Sequence, residues 1–218
     1  PDGRRYTMSI TPYIGDMNIE SITFGPFENR DGKTKVEVYR DASSTQRSNR
    51  LNRIALCPDA MDPFVCPFGI DNVRDDSANP YRRGLAITIT DPATLDSMRK
   101  LDEHIVASAV ANSKEWFKGK TLTEADVRLR YQPILGKFRE EDVTEGIKIK
   151  IKCPGSDFPA ALHLRDETGQ HHKTGGRIDH LTKGARVVPI VSASYGLWFM
   201  GGGSKFGLTM QAEEMIVV

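Results

Sequence analysis

The chain has almost no net charge and little that marks it as an enzyme or a membrane protein. Its 30 Lys+Arg stand against 29 Asp+Glu, a formal +1 over 218 residues. No global field draws it to nucleic acid, and any such role must come from where the charges sit. Cys57, Cys66 and Cys153 cannot all pair within one chain, and none stands in a Cys-x-x-Cys pair, which fits a reducing compartment. No apolar run approaches the ~20 residues that cross a bilayer, and PDGRRYTMSI lacks the apolar stretch of a signal peptide. A soluble, intracellular protein without membrane contact is expected. Gly-x-Ser-x-Gly and the phosphate-loop pattern are absent, and Cys57 and Cys66 lie beside prolines with no histidine adjacent. With 39% apolar residues, a chain of this length can bury roughly 70% of its unfolded surface without disulfides or metals as staples.

The periodicity of what is present changes twice. Residues 17 to 90 read as β: MNIESITF and KTKVEVYR are joined through Asn29-Arg30-Asp31-Gly32, a sequence suited to a tight hairpin. Leu51 to Cys57 gives a further short strand, and Leu85, Ile87 and Ile89 alternate with Ala86, Thr88 and Thr90. CPDAMDPFVCPFGIDN, with three prolines, reads as an irregular connection. From Asp91, Leu95, Met98, Leu101, Ile105, Ala109 and Trp116 recur at helical spacing, with Asp91 as cap and Pro92 in the first turn. A short helix is expected from Thr123 to about Arg130, with Thr123 and Asp126 in a capping box.

From Ile147 onward the chain is β again. In GIKIKIKC the three isoleucines share one face and Lys148, Lys150 and Lys152 the other. The expected fold class is mainly β (α+β): an OB-like β-barrel over residues 17–218 with one long inserted helix and a second short helix at about 91–132, and an extended segment over 1–16. Arg165 to Lys183, with three glycines, reads as an exposed loop, and Gly201-Gly202-Gly203 as a hairpin tip.

His163, His171, His172 and His180 lack the Cys partners and regular spacing of a zinc site and read as a polar loop; no metal and no cofactor are called for. The cations carry more. Residues 30 to 53 hold seven (Arg30, Lys33, Lys35, Arg40, Arg47, Arg50, Arg53) against three anions, and the lysine row adds to them. Aromatics adjoin cations at Tyr39-Arg40, Tyr81-Arg82-Arg83, Arg130-Tyr131 and Lys137-Phe138-Arg139. Cations for phosphates and rings for bases are how proteins hold single strands without reading sequence. The candidate nucleic-acid contacts are therefore Lys35, Tyr39, Arg40, Arg53, Tyr81, Arg82, Arg83, Arg130, Tyr131, Lys148, Lys150, Lys152 and Lys205.

Five segments, PDAMDPFVCPFGI (58–70), LDEHIVASAVANSKEWF (101–117), YQPIL (131–135), IKIKIKC (147–153) and LWFMGGGSKFGLTMQAEEMIVV (197–218), resemble a protein family of large nucleocytoplasmic DNA viruses, algal viruses among them. That family is similar to the single-stranded-DNA-binding proteins of short-tailed phages, which have an OB fold and a comparable KFGLT strand. The resemblance spans roughly residues 17 to 218. It implies sequence-independent binding of single-stranded DNA in replication, recombination or repair, without enzymatic activity, at the site of viral DNA replication in the host nucleus or a cytoplasmic factory. Replication or virion proteins and further copies of the chain are the other partners this reading allows. A structural virion or capsid-associated protein is the alternative. The resemblance departs at the end, where only Glu213 and Glu214 stand in place of the phage proteins' acidic tail.

Overall fold

The computed structural model describes residues 11–30, 33–58, 63–70, 82–142, 144–153, 159–165, 171–173, 178–193 and 195–218. In chain order the strands are β1 (Thr23–Arg30), β2 (Lys33–Tyr39), β3 (Ile54–Ala55), β4 (Phe64–Val65), β5 (Arg82–Thr88), β6 (Tyr131–Gln132), β7 (Leu135–Gly136), β8 (Gly146–Lys152), β9 (Ala161–Arg165), β10 (His171–Lys173), β11 (Arg186–Ser192), β12 (Leu197–Met200), β13 (Lys205–Leu208) and β14 (Gln211–Val217). The helices, α1 (Pro92–Ala111), α2 (Ser113–Trp116) and α3 (Glu124–Arg130), fall between β5 and β6.

The larger sheet closes on itself. β4 pairs with β5, β5 with β8, and β11 with both β4 and β14. β14 meets β8 in parallel, where Gln211 stands opposite Lys150 and the Lys150 amide donates to the Met210 carbonyl at 2.9 Å. The ring β4-β5-β8-β14-β11 is thus a five-stranded barrel, and the class is α+β with an OB-like barrel carrying a helical insertion. Alternation fills its interior: Leu85 and Ile87 of β5 and Ile147, Ile149 and Ile151 of β8 are all 1% exposed or less. Burial of side chains of this kind stabilises by roughly 1.5–3 kcal/mol each.

The second sheet has the order β1-β2-β12-β13-β6. In β1, Pro26 has no amide for the ladder, and the register shifts between Phe24 and Phe27; the Phe27 amide donates instead to Glu115 at 3.0 Å. An aromatic cluster fixes this sheet to the helices. Phe206 stacks on Phe199 at 5.6 Å and meets Phe117 at 5.3 Å and Tyr131 at 5.2 Å, while Trp116 lies edge-on to Phe24 and Phe199.

The helix boundaries follow local chemistry. The Asp91 carboxylate accepts from the Thr94 amide at 2.7 Å, Pro92 takes the first turn, and Thr94 donates its hydroxyl to the Leu56 carbonyl. Met98, Leu101, Ile105, Val106 and Ala109 form the buried stripe of α1. Thr123 and Asp126 make the expected capping box on α3. Asp102, on α1, is half-buried and satisfied: it accepts from the Tyr131 hydroxyl at 2.5 Å and from the amides of Ile134 and Leu135 at 2.9 and 3.2 Å. Burial pushes its carboxyl up, against those hydrogen bonds. The interaction ties the chain leaving α3 to α1.

Four sequence expectations are corrected. MNIESITF is not one strand, since Ile19–Ser21 is a single 3₁₀ turn and β1 begins only at Thr23. Ile14 is 1% exposed and Tyr13 bridges Ala55, so the packed body includes residues assigned to the extended segment. The proline-rich connection supplies β4, a barrel strand, between Pro63 and Cys66. Within the glycine-rich loop, His171–Lys173 pair with β9. The hairpin between β1 and β2 is present, Arg30 facing Lys33, while its Asp31-Gly32 turn lies outside the described residues.

Candidate nucleic-acid interface

β5 and β8 are the second and third strands of the barrel in chain order, and that pair forms the usual oligonucleotide face of OB folds, flanked by the loops after the first and fourth strands. Their register places Arg82 opposite Lys152, Gly84 opposite Lys150, Ala86 opposite Lys148 and Thr88 opposite Gly146. On this face Arg82 and Lys148 are exposed and Lys150 and Lys152 half-buried, while Gly84, Ala86 and Gly146 beside them are buried. Gly84 and Ala86 thus place no large β5 side chain opposite Lys150 and Lys148. The strip from Gly146 to Lys152 is about 20 Å long at about 3.3 Å per residue.

At one end stands Tyr195, in the turn between β11 and β12. The Arg82 guanidinium lies 4.6 Å from its ring centroid and the Lys152 ammonium 5.8 Å, and the ring is 40% exposed. Gly196 makes the turn possible. It has φ +66°, its amide donates to the Ala193 carbonyl at 2.8 Å, and a Cβ there would stand 2.1 Å from the Val36 carbonyl oxygen.

The remaining sequence candidates separate. Arg83 alternates away from Arg82 and is half-buried, its Nε without a hydrogen bond among the described residues; burial raises the neighbouring Cys153 thiol and the Arg83 charge opposes that shift. Lys35 donates to Glu37 at 2.7 Å, and Arg50 pairs with the same carboxylate. Burial pushes the Glu37 carboxyl up, but hydrogen bonds from Lys35, Tyr39 and Arg50 outweigh it and hold the pKa at about 2. Arg40 donates to the Asn52 carbonyl. Arg53 lies 3.0 Å from Glu214 and 3.9 Å from Glu213. The excess of cations between residues 30 and 53 is therefore met, where described, by carboxylates and carbonyls rather than gathered into a patch. Arg130 donates to the Gly203 carbonyl at 3.0 Å and pins the glycine tip. Lys205 is exposed on the other sheet, opposite Met200.

Two tyrosines expected to stack on bases are corrected. Tyr39 is 5% exposed and donates to Glu37 at 2.7 Å; Tyr131 is 7% exposed, in the aromatic cluster, its hydroxyl bound to Asp102. Burial, with the Asp102 charge, pushes the Tyr131 phenol well above its usual range. Tyr81 lies outside the described residues. Phe206 is fully buried, so the KFG segment offers a structural ring, with Gly207 passing against Trp198 and the Gln132 carbonyl. Among the described residues no group of histidine, cysteine and carboxylate side chains is arranged to hold a metal, and His163 pairs with Glu214 at 3.0 Å. No helix there is long and apolar enough to cross a membrane.

Sequence reasoning missed Tyr195. Its signal was an aromatic placed directly before a glycine in the break between two strands, where a ring is seldom core. Phe68, between Pro67 and Gly69, carries the same signal and is 43% exposed.

The arrangement defines an α+β protein with an OB-like barrel bearing a cationic outer strand pair. No protein family and no curated protein matches the chain. Among solved structures it is similar to the single-stranded DNA-binding protein from bacteriophage Enc34 in complex with ssDNA, at 6% identity and a TM-score of 0.40 over 90% of this chain and 95% of that one. A C-terminal truncation of the same phage protein aligns at 6% identity and a TM-score of 0.41 over 89% and 94%.

Proposed function

We propose that this protein binds single-stranded DNA without sequence preference, along the outer face of β5 and β8. The observation that carries the reading is the convergence of Arg82, Lys148, Lys150 and Lys152 on one strip that ends at the exposed Tyr195 ring. Phosphates meet the lysines, and a base stacks at Tyr195. In the free protein Arg82 covers that ring, a contact worth about 0.5–1 kcal/mol at exposed sites. Stacking of a base contributes about 1–3 kcal/mol, so a base displaces the guanidinium or stacks on it and frees a cation for phosphate. The chemistry is binding alone. Within the same proposal fall a role in replication, recombination or repair of viral DNA and residence where that DNA is copied.

The test is fluorescence anisotropy with single-stranded and duplex oligonucleotides of mixed sequence at about 50 and about 200 mM salt. Tighter binding of the single strand, weakening as salt rises, is expected. Absence of binding at the lower salt overturns the reading and favours a structural, protein-binding barrel.

A further inference from the structure

The opposite end of the β5–β8 strip carries a second ring-and-cation arrangement. Gly146 shares the outward parity of the three lysines, and the place its side chain would occupy is filled by Phe138: a Cβ there would come within 2.6 Å of that ring and 2.3 Å of the Ile87 carbonyl oxygen. Phe138 meets Phe68 edge-on at 5.9 Å. Phe68 is 43% exposed, and the Arg139 guanidinium lies 4.9 Å from its ring centroid. Phe68 precedes Ile70, which bridges Leu85 of β5, and follows Val65, which pairs with Thr88. Its loop therefore flanks the end of β5 that lies away from Tyr195.

We propose that Phe68, backed by Phe138 and Arg139, is a second base-stacking site, so that a bound strand is clamped at both ends of the strip. This rests on the reading of the β5–β8 face as a single-strand site. Charge and chemistry match at the two ends: in each, a half-exposed ring has an arginine on its face, and lysines span the distance between. Two clamps about 20 Å apart, by the strand rise, would set the occupied length at the short end of the roughly 4–16 nucleotides that OB folds cover. Phe138 is the support rather than the platform, because its ring is packed on Gly146 and β5.

The experiment compares wild type, Phe68→Ala, Tyr195→Ala and the double variant on an oligothymidine of about twelve nucleotides, within the range OB folds cover, by anisotropy. Each single variant is expected to weaken binding about tenfold, and the double about a hundredfold, since distant sites add. Phe68 is exposed enough that its truncation should leave the melting temperature near wild type. Phe68→Trp gives a second readout, in which DNA quenches the added indole emission. If Tyr195→Ala weakens binding while Phe68→Ala binds as wild type and the introduced indole stays unquenched, the second clamp is overturned and the face reading survives. If wild type binds no single strand at all, both fall together.

Discussion

Replacing Lys148, Lys150 and Lys152 together by alanine separates phosphate binding from folding. The side chains point outward on β8, while the isoleucines between them stay in the core at 1% exposure or less. Strand propensity scales span only ~1 kcal/mol, so the triple variant should stay folded with a modestly lower melting temperature. On single strands each phosphate contact adds about 0.7 to the slope of log affinity against log salt. Three contacts therefore remove about 2 from that slope. At about 0.1 M salt, counterion release at each contact is worth about 1 kcal/mol, which gives up to about 3 kcal/mol and a hundredfold loss of affinity. The deficit should shrink as salt approaches about 1 M, and should be the same for all base sequences. Anisotropy titrations at four salt concentrations would measure the slope directly. A folded triple variant with the wild-type slope refutes the assignment of β8 to the DNA face.

Tyr195→Ala should weaken single-strand binding by about 1–3 kcal/mol, whereas Tyr195→Phe, which keeps the ring, should bind as wild type; equal loss in both would show that the hydroxyl matters and not the stack. Glu37 should make stability acid-sensitive. Its folded pKa of about 2 lies below the unfolded 4.5, so its contribution is complete above 4.5 and is lost as pH falls toward 2. Denaturant unfolding of wild type and Glu37→Gln across that window should show the variant losing less stability; parallel curves would exclude Glu37 as the source. Asp102, whose carboxyl is raised by burial, works in the opposite sense and is common to both proteins.

What was legible in the sequence was what is local. The stripe of α1 from Met98 to Ala109, the caps at Asp91 and Thr123, the glycine tip and the alternation of β8 each depend on residues a few positions apart and are present. Leu95, by contrast, is only partly buried, and Trp116, expected on the same helix, lies on the separate α2. β4 escaped because two residues between prolines carry no period. The cation-rich stretch misled for a different reason: the carboxylates that answer Arg53 come from β14, far along the chain. Pairing Tyr39 with Arg40 was also unsound in principle, since neighbours in a strand face opposite sides. The ring and cation that do meet, Tyr195 and Arg82, come from separate strands' ends and are brought together only by the closed barrel.

That closure also orders the events of synthesis. β14 is the last of the five ring strands in chain order, yet it borders β11, β8 and β9. The β5–β8 ladder can form on a nascent chain as soon as the helical insertion has emerged, but its inner row of leucine and isoleucines then faces water. Until β14 docks beside Lys150, the half-built sheet presents an open edge and an apolar face, the state in which strands join the wrong neighbour. Arg82 and the lysines proposed to grip DNA are thus present on the chain well before the barrel that holds them in register is complete.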